Sequence, residues 1–300
     1  MDPLREASEP ACGGNAAAGG RRTGSRPCVR LRQRSGREPF ARSRNVVQGG
    51  FGARPRGARA EEHVVEELLR SQRLLVVAPH ADDEVIGSGG LIAKVKDLGG
   101  EAFVQVLTVG DVEHYDGGGN AGVGGDTRRS ELADAMRVLN VDDHEVLFED
   151  GDAHLRLDQV ARRDIVERLE RTSRLAIDRI RPTMVVIPAP SYNQDHEAAY
   201  LAAMTACRPH LASLKPFQRI VLMADAPQLC WSRVPFKPNF YVDITKYLDL
   251  KIEAFRRHGS QQRPDPHNGG AESLRLLALV RGREISVGAA EAYECCRFVL

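Results

Sequence analysis

The sequence predicts an α/β fold: a three-layer Rossmann-like domain with a mainly parallel sheet. Short apolar runs such as residues 74–79 and 102–110 have the length and unbroken hydrophobicity of strands that are buried on both faces. Segments in which apolar residues recur with helical spacing separate these runs. Strands that alternate with helices in this way are typical of a parallel sheet that is covered by helices on both sides.

Each predicted element is recognised by its pattern and by the residues that end it. Gly99 and Gly100 end the second helix, and Pro182 ends a long charged helix because proline disfavours the helical conformation of the residue before it. The glycine-rich segment 117–125 predicts a flexible loop. In order, the sequence predicts a helix at 61–70, a strand at 74–79, a helix ending before Gly99, a strand at 102–110, a helix at 128–140, a strand at 145–149, a helix at 158–180, a strand at 183–190, a helix at 195–207, strands at 219–225 and 240–245, and two further helices.

Residues 1–60 differ from the rest of the chain in charge and composition. They contain 13 Arg, no Lys and four acidic residues, a net charge of +9, whereas the remaining residues carry −8. The segment is rich in Gly, Ala and Pro and has no apolar periodicity, so burial cannot offset the entropy lost on folding. We expect a disordered extension over 1–60, with an over-extended gene start favoured over nucleic-acid binding or a transit peptide, and one folded domain over 61–300.

Bulk composition excludes several classes of protein. With 300 residues and 42% hydrophobic content, the chain can bury a substantial core. No run approaches the roughly 18 apolar residues of a membrane-spanning helix, and the N-terminus lacks the apolar segment of a secretory signal. The six cysteines are not spaced for disulfides or for a sulfur-ligated metal. We therefore expect a cytoplasmic protein with a small-molecule partner, without a membrane span or bound nucleic acid.

Residues suited to metal binding follow two of the predicted strands. His80, Asp82 and Asp83 come after the first strand, and His196 comes after the strand at 183–190. Ligands of such sheets bind beyond the carboxyl ends of the strands, so these segments can meet. Two imidazoles and one carboxylate with an open position are the ligand set of a catalytic zinc site, and the set alone would also suit non-haem iron. A neighbouring aspartate that faces another direction could serve as the base.

The same residues also fit simpler structural roles. The acids that follow His80 could form a cluster at a helix N-terminus, where the helix dipole stabilises negative charge. Asp195 could cap the helix that follows it. Spacing alone leaves a metal site and these structural roles open.

The chain resembles the LmbE-like, or PIG-L, family of de-N-acetylases in two motifs. The family signature A-H-P-D-D-E stands here as P-H-A-D-D-E at 79–84, before a glycine-rich helix start, and H-x-D-H stands as N-Q-D-H at 193–196. The resemblance implies an LmbE-like fold and a zinc enzyme that acts on N-acetylglucosamine linked to inositol, phosphatidylinositol, malate or other groups. Weaker agreements in the family's order are R-x-x-E at 128–131, Asp150-Gly151, V-D-I-T at 242–245, H-x-S-Q at 258–261 and A-E-A-Y at 290–293.

The resemblance assigns roles to the residues that match these motifs. It implies that His80, Asp83 and His196 bind Zn²⁺ and that Asp82 is the general base, which takes a proton from the attacking water and can return it to the leaving amine. The position of the family's first H-x-D-H histidine is Asn193 here, and an amide cannot carry a titrating proton. Asp195 thereby loses its usual partner, so either Asp82 transfers both protons or another group takes part.

Three further residues have candidate roles in substrate binding. Arg128 matches a family position implicated in holding substrate, with an exposed arginine at a helix start as the alternative. Asp150 binds sugar hydroxyls or belongs to a turn. His258 lines the site, where it could replace the missing histidine, or caps the end of its helix.

The predicted function is a zinc-dependent hydrolase that removes the N-acetyl group from an N-acetylglucosamine-containing conjugate or a related N-acylated amino sugar. Two alternatives use the same site: a catalytically impaired, glycan-binding pseudoenzyme, and an amidase of an amino-sugar thiol conjugate. A nucleotide-binding Rossmann protein fits poorly. The glycines at 87–90 lack the G-x-G-x-x-G spacing, and the acids at 82–84 would repel phosphates.

Overall fold

The structure is a computed structural model that describes residues 56–116, 119–149, 151–232 and 234–300. The helices are α1 (Arg56–Arg70), α2 (Asp83–Asp97), α3 (Gly125–Val138), α4 (Arg162–Glu167), α5 (Ile177–Ile180), α6 (Gln194–Ala206), α7 (Leu248–Arg257) and α8 (Ala271–Glu284). The strands are β1 (Arg73–His80), β2 (Glu101–Thr108), β3 (Val112–Asp116), β4 (Gly119–Val123), β5 (Asp143–Phe148), β6 (Met184–Pro188), β7 (Ile220–Ala224), β8 (Phe240–Asp243) and β9 (Ala290–Phe298).

Seven of the strands form one sheet in the order β5, β2, β1, β6, β7, β9 and β8. The first five of these are parallel, whereas β9 is antiparallel to both of its neighbours. From β1 the chain builds outward to β2 and β5 on one side and to β6 and β7 on the other, and ligands of such sheets bind where the strand order reverses. The predicted α/β fold with a mainly parallel sheet is confirmed.

Apolar side chains cover both faces of the sheet. Along β1, Val76 and Ala78 contribute to a core that also contains side chains of α2, α3, α7 and α8. Leu75 and Val77 contribute to a second core with α4, α5 and α6. Because successive side chains of a strand point to opposite faces, one apolar run serves both cores and produces the three layers.

The helix predicted over 158–180 is interrupted. After α4, a π-helical turn covers Arg168–Thr172, and α5 begins only at Ile177. The interruption follows from a tertiary contact, because the Glu145 carboxylate accepts hydrogen bonds from the backbone N–H groups of Arg174 and Leu175. Those groups cannot then donate within a continuous helix.

The flexible loop predicted at 117–125 is replaced in part by regular structure. Strands β3 and β4 pair as an antiparallel hairpin, and α3 begins at Gly125, three residues earlier than expected. The Asp111 carboxylate accepts a hydrogen bond from the Gly125 N–H at 2.7 Å, which satisfies one of the free donors of the helix start.

Strand β9 was missed by the sequence patterns because a charged residue occupies one of its buried positions. Glu291 is 4% exposed, and its carboxylate accepts hydrogen bonds from the backbone N–H groups of Gly90 and Leu91 in α2, each at 2.7 Å. Lys251 and the Tyr293 hydroxyl donate to the same carboxylate. Gly90, Leu91 and Lys251 come from helices distant in sequence, and these contacts join α2 and α7 to β9.

The extension expected over residues 1–60 lies outside the described residues, except for its last five, which begin α1. Residues Arg54–Leu300 cluster as one compact unit. None of the helices in the described part of the chain is long and apolar enough to cross a membrane.

Candidate active site

A cavity of about 250 Å³ lies beyond the carboxyl ends of the parallel strands, and we call it the strand-end cavity. Its position follows from the fold, because β1 and β6 both end there and the loops after them carry polar side chains. Its lining includes His80, Asp82, Asp83, Arg128, Asn193 and His196.

His80, Asp83 and His196 converge on one point of this lining. His80 is the last residue of β1, Asp83 is the first of α2, and His196 lies in the first turn of α6. Asp83 Oδ2 is 3.4 Å from His80 Nδ1 and 3.2 Å from His196 Nε2. One donor atom from each residue lies within 4.8 Å of the other two, so the three side chains can hold one metal ion.

The charges around these residues favour a cation between them. Burial lowers the pKa of His80, but hydrogen bonds and charges from Asp195 and Asp83 outweigh it and raise this pKa to about 9. Burial alone would raise the pKa of Asp83, yet the neighbouring His196 and His80 hold it far below its ordinary value. Without a metal ion, a proton on His80 balances the buried carboxylates, and a divalent cation can take its place.

Asp195 has His80 as its partner. The Asp195 carboxylate is fully buried, accepts a hydrogen bond from His80 Nε2 at 2.9 Å and accepts another from the Leu157 backbone N–H at 2.9 Å. Burial, the largest single influence, raises the pKa of Asp195, but the hydrogen bond and charge of His80, together with backbone hydrogen bonds, outweigh it and lower this pKa. An ionised carboxylate only accepts hydrogen bonds, so His80 Nε2 keeps its proton, and Nδ1 is the nitrogen that can give up its proton to bind a metal ion.

Asn193 is the N-cap of α6. Its side-chain oxygen accepts hydrogen bonds from the backbone N–H groups of Asp195 and His196, at 2.9 and 3.4 Å. The alternative in which Asp195 caps this helix is therefore wrong. These capping hydrogen bonds fix the backbone of Asp195, which pairs with His80, and of His196, which lies near His80 at the same site.

Asp82 lies beside Asp83 in a strained conformation. Its φ of 127° and ψ of −30° are unusual for a residue with a side chain. The Asp82 N–H donates to the Glu84 carboxylate, which in turn pairs with His258 Nε2 at 2.8 Å. Burial, followed by the charge of Asp83, raises the pKa of Asp82 to about 7, so this carboxyl group can exchange a proton near neutral pH.

Of the three residues predicted to bind substrate, one lines the cavity, one is buried behind it and one lies outside the described residues. His258 has no exposed surface and ends α7, behind Glu84, so it does not line the strand-end cavity in this conformation. Asp150 lies outside the described residues. Arg128 lines the cavity and is only 2% exposed, so the alternative of an exposed arginine at a helix start is wrong.

His154 is a cavity residue that sequence reasoning missed. Its Nε2 accepts a hydrogen bond from Arg128 at 2.8 Å, and its Nδ1 is 3.1 Å from the Thr108 hydroxyl. Burial, with the charges of His80 and Arg128, lowers the pKa of His154 to about 4, so the ring is neutral. Both ring nitrogens are engaged, which favours His196 over His154 as a metal ligand. The sequence offered one indication of this role, because His154 follows β5, whose carboxyl end lies at the same edge of the sheet as those of β1 and β6.

Comparisons with known proteins agree with this fold and show the family. Residues 75–207 match the family described as PIG-L: GlcNAc-PI de-N-acetylase. The chain is 30% identical over 221 residues to the diacetylchitobiose deacetylase of Thermococcus kodakarensis. The alignment covers 71% of this chain and 78% of that protein.

Solved structures extend the agreement in fold. The N,N′-diacetylchitobiose deacetylase of Pyrococcus horikoshii superposes with a TM-score of 0.55 at 24% identity, over 82% of this chain and 94% of that one. A 4-carboxy-2-hydroxymuconate hydratase of Pseudomonas putida KT2440 superposes with a TM-score of 0.58 at 22% identity, over 76% and 97%. The hydratase shows that the fold alone does not determine the reaction. Sequence identity to the Thermococcus enzyme, together with the family match, establishes that the chain belongs to the PIG-L, or LmbE-like, family of deacetylases.

Proposed function

We propose that the protein is a zinc-dependent hydrolase that removes the N-acetyl group from an N-acetylglucosamine-containing conjugate or a related N-acylated amino sugar. The observation that supports this most is the convergence of His80, Asp83 and His196 in a cavity that also exposes Asp82. A small amino-sugar conjugate as partner and a cytoplasmic location belong to the same proposal.

The three proposed ligands fit zinc in chemistry and in spacing. Donor atoms held about 2.0–2.1 Å from a tetrahedral zinc ion lie roughly 3.3 Å apart. The separations from Asp83 Oδ2 to His80 Nδ1 and to His196 Nε2, 3.4 and 3.2 Å, match this value. Two imidazoles and one carboxylate leave a position open, as catalytic zinc sites do. The hydrogen bond from His80 Nε2 to Asp195 supplies the outer support that ligating histidines usually have.

A bound zinc ion would supply Lewis acidity, which makes water more acidic and polarises a carbonyl oxygen. In the proposed reaction Asp82 accepts a proton from the water that adds to the acetamide carbonyl. The C–N bond then breaks, and Asp82 returns the proton to the leaving amine, so that acetate and a free amino sugar are formed. A pKa of about 7 suits a group that must both accept and give a proton near neutral pH.

Asp82 is proposed to carry out both proton transfers because the other candidates are occupied. His258 is completely buried against Glu84, and both nitrogens of His154 have partners. The oxygen of Asn193 is used in the helix cap, which leaves its NH₂ group to donate a hydrogen bond to the developing oxyanion.

Asn193 also supports a second candidate, a pseudoenzyme that binds an amino sugar without cleaving it. An amide at this position cannot give up a proton, and a site in which Asp82 were held too rigidly to move its proton would bind without turnover. The amidase of a thiol conjugate requires the same residues, and differs only in the conjugated group.

Acetate release from a panel of N-acetylglucosamine conjugates, including a thiol conjugate, tests the proposal on zinc-loaded protein. Wild type should release acetate, and Asp82→Asn should lose at least about 100-fold in rate while keeping its zinc, as expected for loss of a general base. Asp158→Asn, an exposed aspartate that does not line the cavity, is the matched control. Saturable binding without acetate release from any conjugate would favour the pseudoenzyme.

A further inference from the structure

We infer that Tyr192 and Trp231 form a platform at the rim of the strand-end cavity that binds a second sugar ring, so that the substrate is a glycoside of at least two rings. This inference rests on the proposed function for the identity of the first sugar. The platform itself is defined by the two aromatic side chains.

The two rings form an exposed pair on the protein surface. Tyr192 is 66% exposed and Trp231 is 75% exposed, and their ring centroids are 6.4 Å apart at an interplanar angle of 59°. Aromatic side chains dominate the energy of burial in cores and interfaces, so two of them exposed and in contact are typical of a surface that a ligand covers. Trp231 is also the single tryptophan of the sequence.

Both rings are attached to segments that build the cavity wall. Tyr192 lines the cavity and directly precedes Asn193, whose capping bonds fix the start of α6. Trp231 ends the 3-10 turn Pro227–Trp231, in which Pro227 and Gln228 line the cavity and Leu229 is buried. The platform therefore continues outward from the cavity, first through Tyr192 and then through Trp231.

The chemistry of the lining favours a neutral, hydroxylated ligand. A pyranose ring has an apolar face of C–H groups, which packs on aromatic rings, and a rim of hydroxyls, which needs hydrogen-bonding partners. Besides histidines, the charged side chains among the described lining residues are Asp82, Asp83 and Arg128, all of the candidate catalytic cluster. The amides that line the same cavity and can bind hydroxyls are Asn193, Gln228, Gln261 and Asn268.

The size of the cavity places the second ring outside it. At about 250 Å³ the cavity is smaller than most small-molecule pockets, which begin at about 300 Å³. A sugar whose acetamido group reaches Asp82 would occupy this small volume. A ring joined to that sugar must then lie at the rim, where Tyr192 and Trp231 are exposed.

Tryptophan fluorescence tests the platform directly, because the emission comes from Trp231 alone. Zinc-loaded Asp82→Asn, which should turn over at least about 100-fold more slowly than wild type, is titrated with N-acetylglucosamine, with its β-1,4-linked dimer and with octyl N-acetylglucosaminide. The dimer should change the emission saturably, and the monosaccharide should change it much less. Tyr192→Ala should weaken the dimer's effect roughly 3- to 10-fold, the size of one lost aromatic contact. Leu214→Ala, at an equally exposed apolar residue outside the cavity lining, should not.

Kinetics separate failure of the platform from failure of the proposed function. Trp231→Ala should raise KM for the dimer roughly 3- to 10-fold more than it raises KM for the monosaccharide. Unchanged emission at dimer concentrations that saturate acetate release would overturn the platform and leave the deacetylase intact. A saturable emission change without acetate release from any sugar would retain the platform and reject the hydrolase.

Two other occupants of the aromatic pair give distinct results. An emission change on dilution, with no sugar present, would show that a second copy of the chain covers the pair. A stronger effect of octyl N-acetylglucosaminide than of the dimer would show that the surface binds an alkyl chain. Either result, or unchanged emission with every sugar, overturns the inference.

Discussion

His80 and Asp195 form a buried pair in which His80 Nε2 donates to Asp195 Oδ2 at 2.9 Å. The carboxylate fixes both the tautomer and the rotation of the imidazole ring. Nδ1 is thereby directed to the side on which Asp83 and His196 lie. Position 193, where the family motif has the histidine that usually pairs with Asp195, is an asparagine here, and Asp195 pairs with His80 instead.

Asp195→Asn should weaken zinc binding by about 10- to 100-fold, because an amide orients the His80 ring less strongly than a carboxylate does. Competition with a chromogenic chelator measures the change in zinc Kd. Asp158→Asn is the control and should bind zinc like wild type. An unchanged zinc Kd in Asp195→Asn would show that the pair does not support a metal ligand.

Asp82→Gly should be more stable than Asp82→Ala, although both lack the carboxylate. Only glycine adopts the φ of 127° without strain. For other residues this backbone conformation costs roughly 1–3 kcal/mol. After the larger backbone entropy of unfolded glycine is subtracted, the free energy of unfolding should differ by about 1–2 kcal/mol. Denaturant titrations of the two variants measure it. Equal midpoints would mean that the Asp82 backbone relaxes freely.

Zinc should raise the melting temperature of the metal-free protein, because a ligand that binds only the folded state stabilises it by about 2.7 kcal/mol at 100 times its Kd. His196→Gln should lose most of this shift. His63→Gln, an exposed histidine of α1, should keep it. Thermal scans with and without zinc make the comparison, and an equal shift in all three proteins would place the metal elsewhere.

Glu170 should make folding stability depend on pH in the acid range. Burial raises the pKa of this carboxyl group, but hydrogen bonds from Lys215 and Arg208 outweigh it and lower the pKa. The carboxylate therefore contributes stability above its unfolded pKa, about 4.3, and this contribution is lost as the pH falls through the lower folded pKa.

Glu170→Gln should accordingly lose about 1–2 kcal/mol at pH 7 and little at the most acid pH where the fold persists. Urea titrations at several pH values follow the difference from wild type. Glu167→Gln, at an exposed position of the preceding turn, serves as the reference. A difference that stayed constant with pH would mean that the charge of Glu170 does not matter.

The order of the elements and the convergence of the three proposed ligands could be predicted from the sequence. Apolar runs identify the parallel strands, and a parallel sheet brings residues such as His80 and His196 to one edge. The sequence patterns did not reveal how the supporting side chains are used. Asn193 caps α6, and Asp195 pairs with His80, because the turn before α6 fixes their directions. The spacing of residues in the sequence does not indicate the directions in which these side chains point.

Features that depend on distant partners were also missed. Strand β9 holds a buried glutamate whose partners lie about 200 residues earlier, at Gly90 and Leu91. His154 is neutral and buried because it meets Arg128 and Thr108. The local sequence around Glu291 or His154 does not indicate these contacts, because the partners come from segments that only the folded chain brings together.

The contact of Glu291 with Gly90 and Leu91 joins segments that lie about 200 residues apart in the chain. During synthesis, helix α2, which begins with Asp83, lacks this carboxylate until strand β9 has been made. A nascent chain that already contains every proposed metal ligand therefore still lacks the anchor of that helix. A chain cut before β9 is expected to be inactive and more open to proteolysis than one that contains this strand.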